Sequence, residues 1–279
     1  MQINKKLHRI KITFNVTSEI ERFVYVYLII DKGIHLVDTG VSGSEKIIAD
    51  YLKSIGRHIT EVKSILLTHS HPDHIGGAKI TKELSCCTIY ACEQERNWIE
   101  DIDIQFKERP IPNFYGLVKQ SADVDKVIGE GDVISLEPGV TIKVIDTKGH
   151  SKGSLSFIWA EENVVFTGDA IPVIDDIPIY ISAKDSVESL KKLLHIEANQ
   201  YLSSWDEVLD RDNGERVIEK ALELFDKIKA AVLNTSAQLS GGSEEEAYAG
   251  VCAALNMGHL IENPLFKKSV SATINEMRL

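Results

Sequence analysis

The feature that most constrains this chain is a histidine-rich segment, residues 68–77, which reads Thr-His-Ser-His-Pro-Asp-His-Ile-Gly-Gly. Imidazole and carboxylate groups are the ligand types that hold zinc, iron or manganese in proteins. The apolar run 65–67 predicts a buried strand before the segment, and the glycines at its end are typical of a helix start. We therefore expect metal ligands on a strand-to-helix loop. The candidates, within six residues, are His69, His71, Asp73 and His74.

Two further side chains that can bind a metal follow predicted strands later in the chain. His150, in Gly-His-Ser, comes after the strand pattern of residues 141–145, and Asp169, in Thr-Gly-Asp, comes after the apolar residues 164–166. Either dipeptide alone is a common turn. Together with the His-x-His-x-Asp-His segment, they supply ligands on both sides of a shared water, as two metal ions about 3.5–4 Å apart require.

These motifs, with Leu-Val-Asp-Thr-Gly at 36–40, resemble those of the metallo-β-lactamase fold family of metallohydrolases, over roughly residues 10–210. Within the family, the chain looks most similar to the glyoxalase II and lactonase branch. The resemblance implies an α/β fold, a four-layer αββα sandwich. It also implies a role for each ligand: the first metal would be held by His69, His71 and His150, the second by Asp73 and His74, and Asp169 would bridge both.

The same resemblance places Asp38 behind the ligands, where a hydrogen bond would orient a ligand histidine. The chain departs from the family at the usual last ligand, a histidine, because Trp205 stands there. An indole nitrogen only donates hydrogen bonds and cannot bind a metal. Asp206 is the candidate substitute, and its oxygen ligand would favour iron or manganese. The alternatives are that Asp206 only caps a turn, and that the second metal is weakly held or absent.

Outside the motifs, the chain predicts an α/β domain followed by helices. Strand and helix patterns alternate over residues 1–212, which we assign to the catalytic domain, whereas residues 213–279 show helical periodicity only. This C-terminal helical segment could close the pocket, form a homodimer or simply pack. Residues 101–121 break the alternation and predict a long loop, which either covers the metal site or packs its aromatic side chains on the fold.

Two residues beyond Asp169 are candidate substrate contacts. Asp175 and Tyr180 lie on an extended, proline-punctuated segment that leads away from the metal site. A tyrosine near the bridging aspartate resembles the carbonyl-polarising tyrosine of some lactonases in the family, although the spacing is longer here.

Charge and cysteine usage limit the classes of function. The chain has 42 acidic and 31 basic residues, and the resulting net charge of −11 argues against a nucleic-acid partner. The longest apolar run, residues 23–30, is too short to cross a bilayer, and the N-terminus has no apolar signal core. Four cysteines follow no disulfide-framework spacing. These features favour a cytoplasmic protein with a small-molecule substrate and no membrane partner.

The predicted function is metal-dependent hydrolysis of an activated acyl bond, in a thioester, lactone or ester. A metal-bound hydroxide would attack, since coordination lowers the pKa of water to about 7. One or two zinc ions per chain are expected, with iron or manganese as alternatives. Asp73 is the candidate catalytic residue, which would orient the hydroxide and return its proton to the leaving group. Two alternatives stay open: a mononuclear iron oxidoreductase of the persulfide dioxygenase type, and a non-catalytic metal-binding sensor.

Overall fold

Two six-stranded sheets form the centre of the molecule, and helices cover their outer faces. The computed structural model describes residues 1–174, 176–238 and 243–277. The arrangement is the αββα sandwich that the sequence predicts.

The first sheet carries its strands in chain order, antiparallel from β1 to β3 and parallel from β3 to β6. The apolar run of residues 23–30 lies in its second strand, where residues 24–30 are buried. Burial on both faces explains why the run is continuous rather than alternating. The strands are β1 (Leu7–Asn15), β2 (Glu21–Ile30), β3 (Ile34–Val37), β4 (Val62–Leu66), β5 (Thr88–Ala91) and β6 (Lys126–Val127).

The second sheet runs in the order β12-β11-β10-β9-β8-β7 and is antiparallel except for the β10–β11 pair. Its strands are β7 (Val133–Glu137), β8 (Val140–Asp146), β9 (Leu155–Trp159), β10 (Val164–Gly168), β11 (Gln200–Ser203) and β12 (Leu209–Asp210).

Helices form the two outer layers. The apolar spacing of residues 44–55 predicts a helix that stops at Gly56. The first helix ends just before this glycine, which adopts a left-handed conformation with φ of 76°. Two 3₁₀ turns, Ile59–Glu61 and Gly258–Leu260, connect other elements. The helices are α1 (Ser44–Ser54), α2 (Pro72–Ile75), α3 (Ala78–Ser85), α4 (Glu93–Glu100), α5 (Ile102–Glu108), α6 (Phe114–Leu117), α7 (Ala183–Leu194), α8 (Arg211–Gln238), α9 (Glu244–Ala254) and α10 (Pro264–Met277).

Three hydrophobic clusters hold the four layers together. The first joins helices α1 to α6 to the outer face of the first sheet, with Ile48, Ile99 and Phe114 among its members. The second lies between the sheets, where Tyr27 of β2 meets Phe166 of β10 with ring centroids 5.5 Å apart. The third packs α7 to α10 on the second sheet. Each sheet is therefore buried on both faces.

The expectation of a long loop over residues 101–121 is wrong, because the segment contains α5 and α6. Asp101 caps α5 by accepting the N–H groups of Asp103 and Ile104, both at 3.1 Å. The aromatic residues pack on one another, with the Phe106 and Phe114 rings 5.2 Å apart, and join the first cluster. Helices of one or two turns are too short to produce a clear periodic pattern in a sequence.

The C-terminal segment folds as the predicted helices. The pattern Ser-x-x-Glu at 243–246 predicts a capping box, and Ser243 and Glu246 form it at the start of α9. The sequence predicts that this helix ends at Gly258 and that another starts at Pro264. In the structure α9 ends at Ala254, and α10 starts at Pro264. The sequence also predicts a break at 236–242, but α8 continues to residue 238, and residues 239–242 lie outside the described residues.

These helices share one hydrophobic core with α7 and the second sheet. They therefore form the outer layer of the sandwich on that side. Among the helices that the structure describes, none is long and apolar enough to cross a membrane.

Candidate metal centre

The predicted ligands meet at one edge of the sandwich, where several strands end. The histidine-rich segment follows β4 and includes the single-turn helix α2. His150 lies between β8 and β9, and Asp169 directly follows β10. Strand ends that share an edge bring residues distant in sequence close together.

The first half of the centre, as we name it here, comprises His69, His71, His150 and Asp169. One ligand atom from each lies within 4.8 Å of the others. His71 Nδ1 is 3.0 Å from His69 Nε2 and 2.9 Å from His150 Nε2. The three histidines are at most 8% exposed. Such crowding of imidazole nitrogens calls for a shared cation.

Hydrogen bonds on the far side of two rings decide which nitrogens carry lone pairs. His150 Nδ1 lies 2.9 Å from the Ile179 carbonyl, so it must donate, and Nε2 keeps its lone pair. The Thr68 hydroxyl donates to Asp38 Oδ2 at 2.8 Å, so its oxygen accepts from His69 Nδ1 at 3.0 Å. His69 Nε2 therefore also carries a lone pair. Since His71 Nδ1 can donate to only one of them, a metal ion fits this group better than a proton.

Burial is the main cause that lowers the pKa of His69 and His71 well below the ordinary histidine value. Neighbouring imidazoles and Arg109 lower them further. Burial also lowers the pKa of His150. All three imidazoles are thus neutral at neutral pH, and neutral imidazole is the form that binds a metal.

The second half of the centre comprises Asp73, His74 and the shared Asp169. His74 Nε2 lies 3.3 Å from Asp169 Oδ1 and 3.6 Å from Asp73 Oδ2. Both His74 Nε2 and Asp169 Oδ1 are buried without a hydrogen-bond partner. Unpaired buried polar atoms are costly, and a cation between them would satisfy both. The residues present therefore fit a metal here as well.

The protonation state of the second half differs from that of the first half. Burial lowers the pKa of His74, but Asp169, Asp38 and Asp73 outweigh it and raise the pKa well above the ordinary value. Burial raises the pKa of Asp169, but the positive charge of His74, followed by the effects of His150 and the neighbouring Trp205, holds it below the ordinary value. His74 is thus a cation among carboxylates until a metal displaces its proton.

Asp38 has the position that the sequence predicts. Its carboxylate lies 2.9 Å from His74 Nδ1 and accepts the N–H of Thr68 at 2.8 Å. Through the Thr68 hydroxyl it also orients His69. One buried carboxylate therefore supports a ligand in each half of the centre.

The structure does not bring Asp206 into the centre. Its carboxylate accepts the N–H of Glu207 at 2.7 Å, as a turn residue would, and it is absent from the ligand group found among the described residues. Trp205 lies closer to the centre, and it contributes to the lowered pKa of Asp169 after the larger effects of His74 and His150. The ring is held at 6.5 Å from Phe14 and 6.2 Å from Phe23, measured between centroids.

Tyr180, a candidate substrate contact, directs its side chain away from the centre. Tyr180 is 2% exposed and lies in the third cluster. Its hydroxyl is 2.8 Å from Thr273 Oγ1 on α10, and its N–H donates to Ser269. Tyr180 therefore fastens the segment after β10 to the C-terminal helices. Asp175 lies outside the described residues.

Two residues near the centre were missed by sequence reasoning. Glu95 on α4 is buried and bonds both ligand loops, but a glutamate in the first turn of a helix has no distinctive pattern. Arg109 follows α5, and the charges of Asp73 and Asp169 act on its guanidinium. Neither has a motif that could have identified it.

α5 itself is fastened to the centre. The Gln105 side-chain amide donates to the carbonyl of Ser70, between two ligand histidines, at 2.6 Å. The Arg109 N–H bonds Gln105 at 2.8 Å, one turn away. Of the two alternatives that the sequence left open, the structure shows that the segment 101–121 packs its aromatic side chains on the fold, and Gln105 also bonds the loop that carries His69 and His71.

Comparison with known proteins identifies the superfamily. The pattern of the Metallo-beta-lactamase superfamily matches residues 20–217. A probable metallo-hydrolase of Streptococcus pyogenes is 30% identical over 158 residues, 52% of this chain and 60% of that protein. A hydroxyacylglutathione hydrolase of Pelagibacter ubique is 28% identical over 147 residues, 53% of this chain and 51% of that protein. The chain thus matches about half to three fifths of each relative's length.

Solved structures share the fold over nearly the whole chain. A metallo-beta-lactamase family protein from Thermus thermophilus superposes with a TM-score of 0.77 at 20% identity, covering 99% of this chain and 94% of that one. A beta-lactamase domain protein from Burkholderia ambifaria gives 0.76 at 17% identity, covering 99% and 88%. These superpositions include the C-terminal helices.

Proposed function

The chain belongs to the metallo-beta-lactamase superfamily, and we propose that it is a metal-dependent hydrolase that cleaves an activated acyl bond in a small molecule. The observation that carries the proposal is the first half of the centre, in which three buried histidines converge beside Asp169. The similarity to a hydroxyacylglutathione hydrolase supports thioesters as one substrate class, with lactones and esters as the others.

His69, His71 and His150 would hold the first metal, Asp73 and His74 the second, and Asp169 would bridge them. Zinc is the expected ion, with iron or manganese as alternatives. Bound there, such an ion supplies an activated water and polarises the carbonyl of the substrate. No serine or cysteine nucleophile is required.

Asp73 is the proposed catalytic residue. Burial, followed by the charge of Asp169, raises the pKa of its carboxyl above the ordinary aspartate value. A carboxylate beside a metal-bound water can orient that water, accept its proton and return the proton to the leaving group. Its place beside His74 puts that proton at the edge of the centre.

One observation favours a second candidate, a mononuclear iron oxidoreductase of the persulfide dioxygenase type. The first half has its full ligand set, whereas the second has Trp205 in place of its last ligand. If a metal ion binds only in the first half, the protein holds one ion per chain, and an iron ion there would suit oxygen chemistry.

The experiment is elemental analysis of the purified protein, followed by assays on thioesters, lactones, esters and a low-molecular-weight persulfide with oxygen. We expect bound zinc and turnover of at least one acyl substrate, lost with a chelator and restored by zinc. Iron with oxygen consumption would move the assignment to the oxidoreductase. Bound metal without turnover of any substrate would favour the non-catalytic sensor.

A further inference from the structure

The carboxylate of Glu95 joins the two loops that carry the ligands of the first half. Its Oε2 accepts the N–H of Ser70 at 3.2 Å and also the Ser70 hydroxyl. Its Oε1 accepts the Ser151 hydroxyl and the Gly153 N–H, both at 2.6 Å. Ser70 lies between two ligand histidines, and Ser151 directly follows His150. Each oxygen is therefore assigned to one loop.

Burial makes this arrangement specific. Glu95 is 2% exposed, and a buried carboxylate is stable only when its lone pairs are hydrogen-bonded. Four donors satisfy them here. Because a carboxylate is planar and its oxygens have a fixed separation, four bonds to it also fix the distance between the loops.

The other contacts near these loops do not join the immediate neighbours of His71 and His150 to each other. One backbone bond, from the Leu155 N–H to the Thr68 carbonyl at 2.8 Å, joins them at the strand end. Gln105 bonds the Ser70 carbonyl but not the His150 loop. Among the described residues, Glu95 is the side chain that bonds the neighbours of both His71 and His150.

We infer that Glu95 is a positioning residue of the metal centre, whose carboxylate sets the separation of His71 and His150 and thereby the affinity and geometry of the bound ion. The inference rests on the metal centre of the proposed function but not on any particular reaction. Supporting groups behind ligands commonly change metal affinity by about 10- to 100-fold.

The substitution Glu95→Gln tests this with little change of shape. Whichever way the amide is oriented, its NH₂ faces a backbone N–H, from Ser70 on one side or from Gly153 on the other. A backbone N–H cannot reverse its polarity as a hydroxyl can. One loop therefore loses its backbone bond to residue 95 and keeps at most the serine hydroxyl bond.

Glu100→Gln is the matched control, because Glu100 lies on the same helix and also accepts hydrogen bonds. It pairs with Arg96 at 3.0 Å and accepts the Val124 N–H at 3.1 Å, away from the ligand loops. Ser151→Ala serves as a second variant that removes a single bond to Glu95, in case Glu95→Gln does not fold.

The measurements are zinc affinity by competition with a chromophoric chelator, the absorption spectrum of the cobalt-substituted protein, and the Tm. We expect Glu95→Gln to weaken zinc binding by about tenfold or more and to change the cobalt spectrum. Ser151→Ala should do so less, and Glu100→Gln by less than about twofold.

Wild-type zinc affinity and an unchanged cobalt spectrum in Glu95→Gln, or in Ser151→Ala if only that variant folds, would overturn the inference. So would equal losses in Glu95→Gln and Glu100→Gln, since that result would indicate a general effect on stability. If the wild-type protein binds neither zinc nor cobalt, the inference about Glu95 is wrong, because it requires a metal centre. Zinc binding without hydrolysis would refute the proposed hydrolase while leaving the Glu95 test intact.

Discussion

The two halves of the metal centre are built from similar residues but in opposite electrostatic settings. In the first, burial keeps His69 and His71 neutral, and their nitrogens crowd together. In the second, carboxylates surround His74 and keep it protonated. The first half is therefore ready to bind an ion, whereas the second must release a proton to do so.

The difference shows that ligand identity alone does not decide occupancy. Both halves share Asp169, yet Trp205 occupies the sequence position of the usual last ligand and contributes to the lowered pKa of the Asp169 carboxyl. An indole cannot bind a metal, so the second half lacks its usual last ligand. We expect the first half to bind metal more tightly than the second.

The largest effect is expected for His71→Ala, which removes the nitrogen on which the first half converges. Zinc binding and all metal-dependent turnover should be lost, while the circular dichroism spectrum stays that of the wild type. His195→Ala is the control, since His195 is an exposed residue that follows α7. Retained zinc binding in His71→Ala would contradict the assignment of the first half.

Asp38→Asn should weaken both halves, because this carboxylate supports His74 directly and His69 through Thr68. Loss of such a group typically costs about 10- to 100-fold in metal affinity. Zinc titration against Asp50→Asn, an exposed aspartate on α1, gives the comparison. Equal affinities in the two variants would show that Asp38 stabilises only its turn.

Trp205→His should complete the second half by placing a ligand where the wild type has a side chain that cannot bind a metal. Elemental analysis should then find a second equivalent of zinc, or a more tightly bound one, compared with the wild type. Trp205→Phe removes the indole without adding a ligand and should leave the metal content unchanged. If both variants gain metal, the indole acts only by occupying space.

The smallest effect is expected for Arg109→Ala, which concerns substrate rather than metal. Arg109 makes no ion pair with any described residue, whereas Arg9, Arg22 and Arg57 each hold a carboxylate. Its guanidinium lies in the field of Asp73 and Asp169 but keeps donors that can hydrogen-bond an anionic group. The KM for an anionic acyl substrate should rise about tenfold, the value of one charge-assisted hydrogen bond, while a neutral analogue is unaffected.

Lys107→Ala is the control for Arg109, because Lys107 is an exposed residue of the same short helix. It should leave both substrates unchanged. A similar loss for anionic and neutral substrates in Arg109→Ala would indicate that the arginine supports the fold of the segment instead.

Prediction from the sequence succeeded where side-chain type and local pattern carry the information. Adjacent ligands such as His69 and His71 follow a buried strand, and the capping box at Ser243 marks the start of α9. It failed in the segment 101–121, whose helices are too short for periodicity. The sequence also indicated Tyr180 as a candidate substrate contact, but in the structure the Tyr180 hydroxyl is hydrogen-bonded to Thr273.

The sequence by itself predicted a layered α/β fold from its alternating strand and helix patterns. Its resemblance to the metallo-β-lactamase fold family added the αββα sandwich, the candidate ligands and the absence of the usual last histidine. Only the tertiary structure decided how these groups act on one another. It brought Glu95 between two loops from distant parts of the chain, placed Trp205 near Asp169 and paired the Asp206 carboxylate with the N–H of Glu207. Hydrogen bonds and Coulomb interactions depend on distance and burial, and distant segments acquire both only when the layers pack.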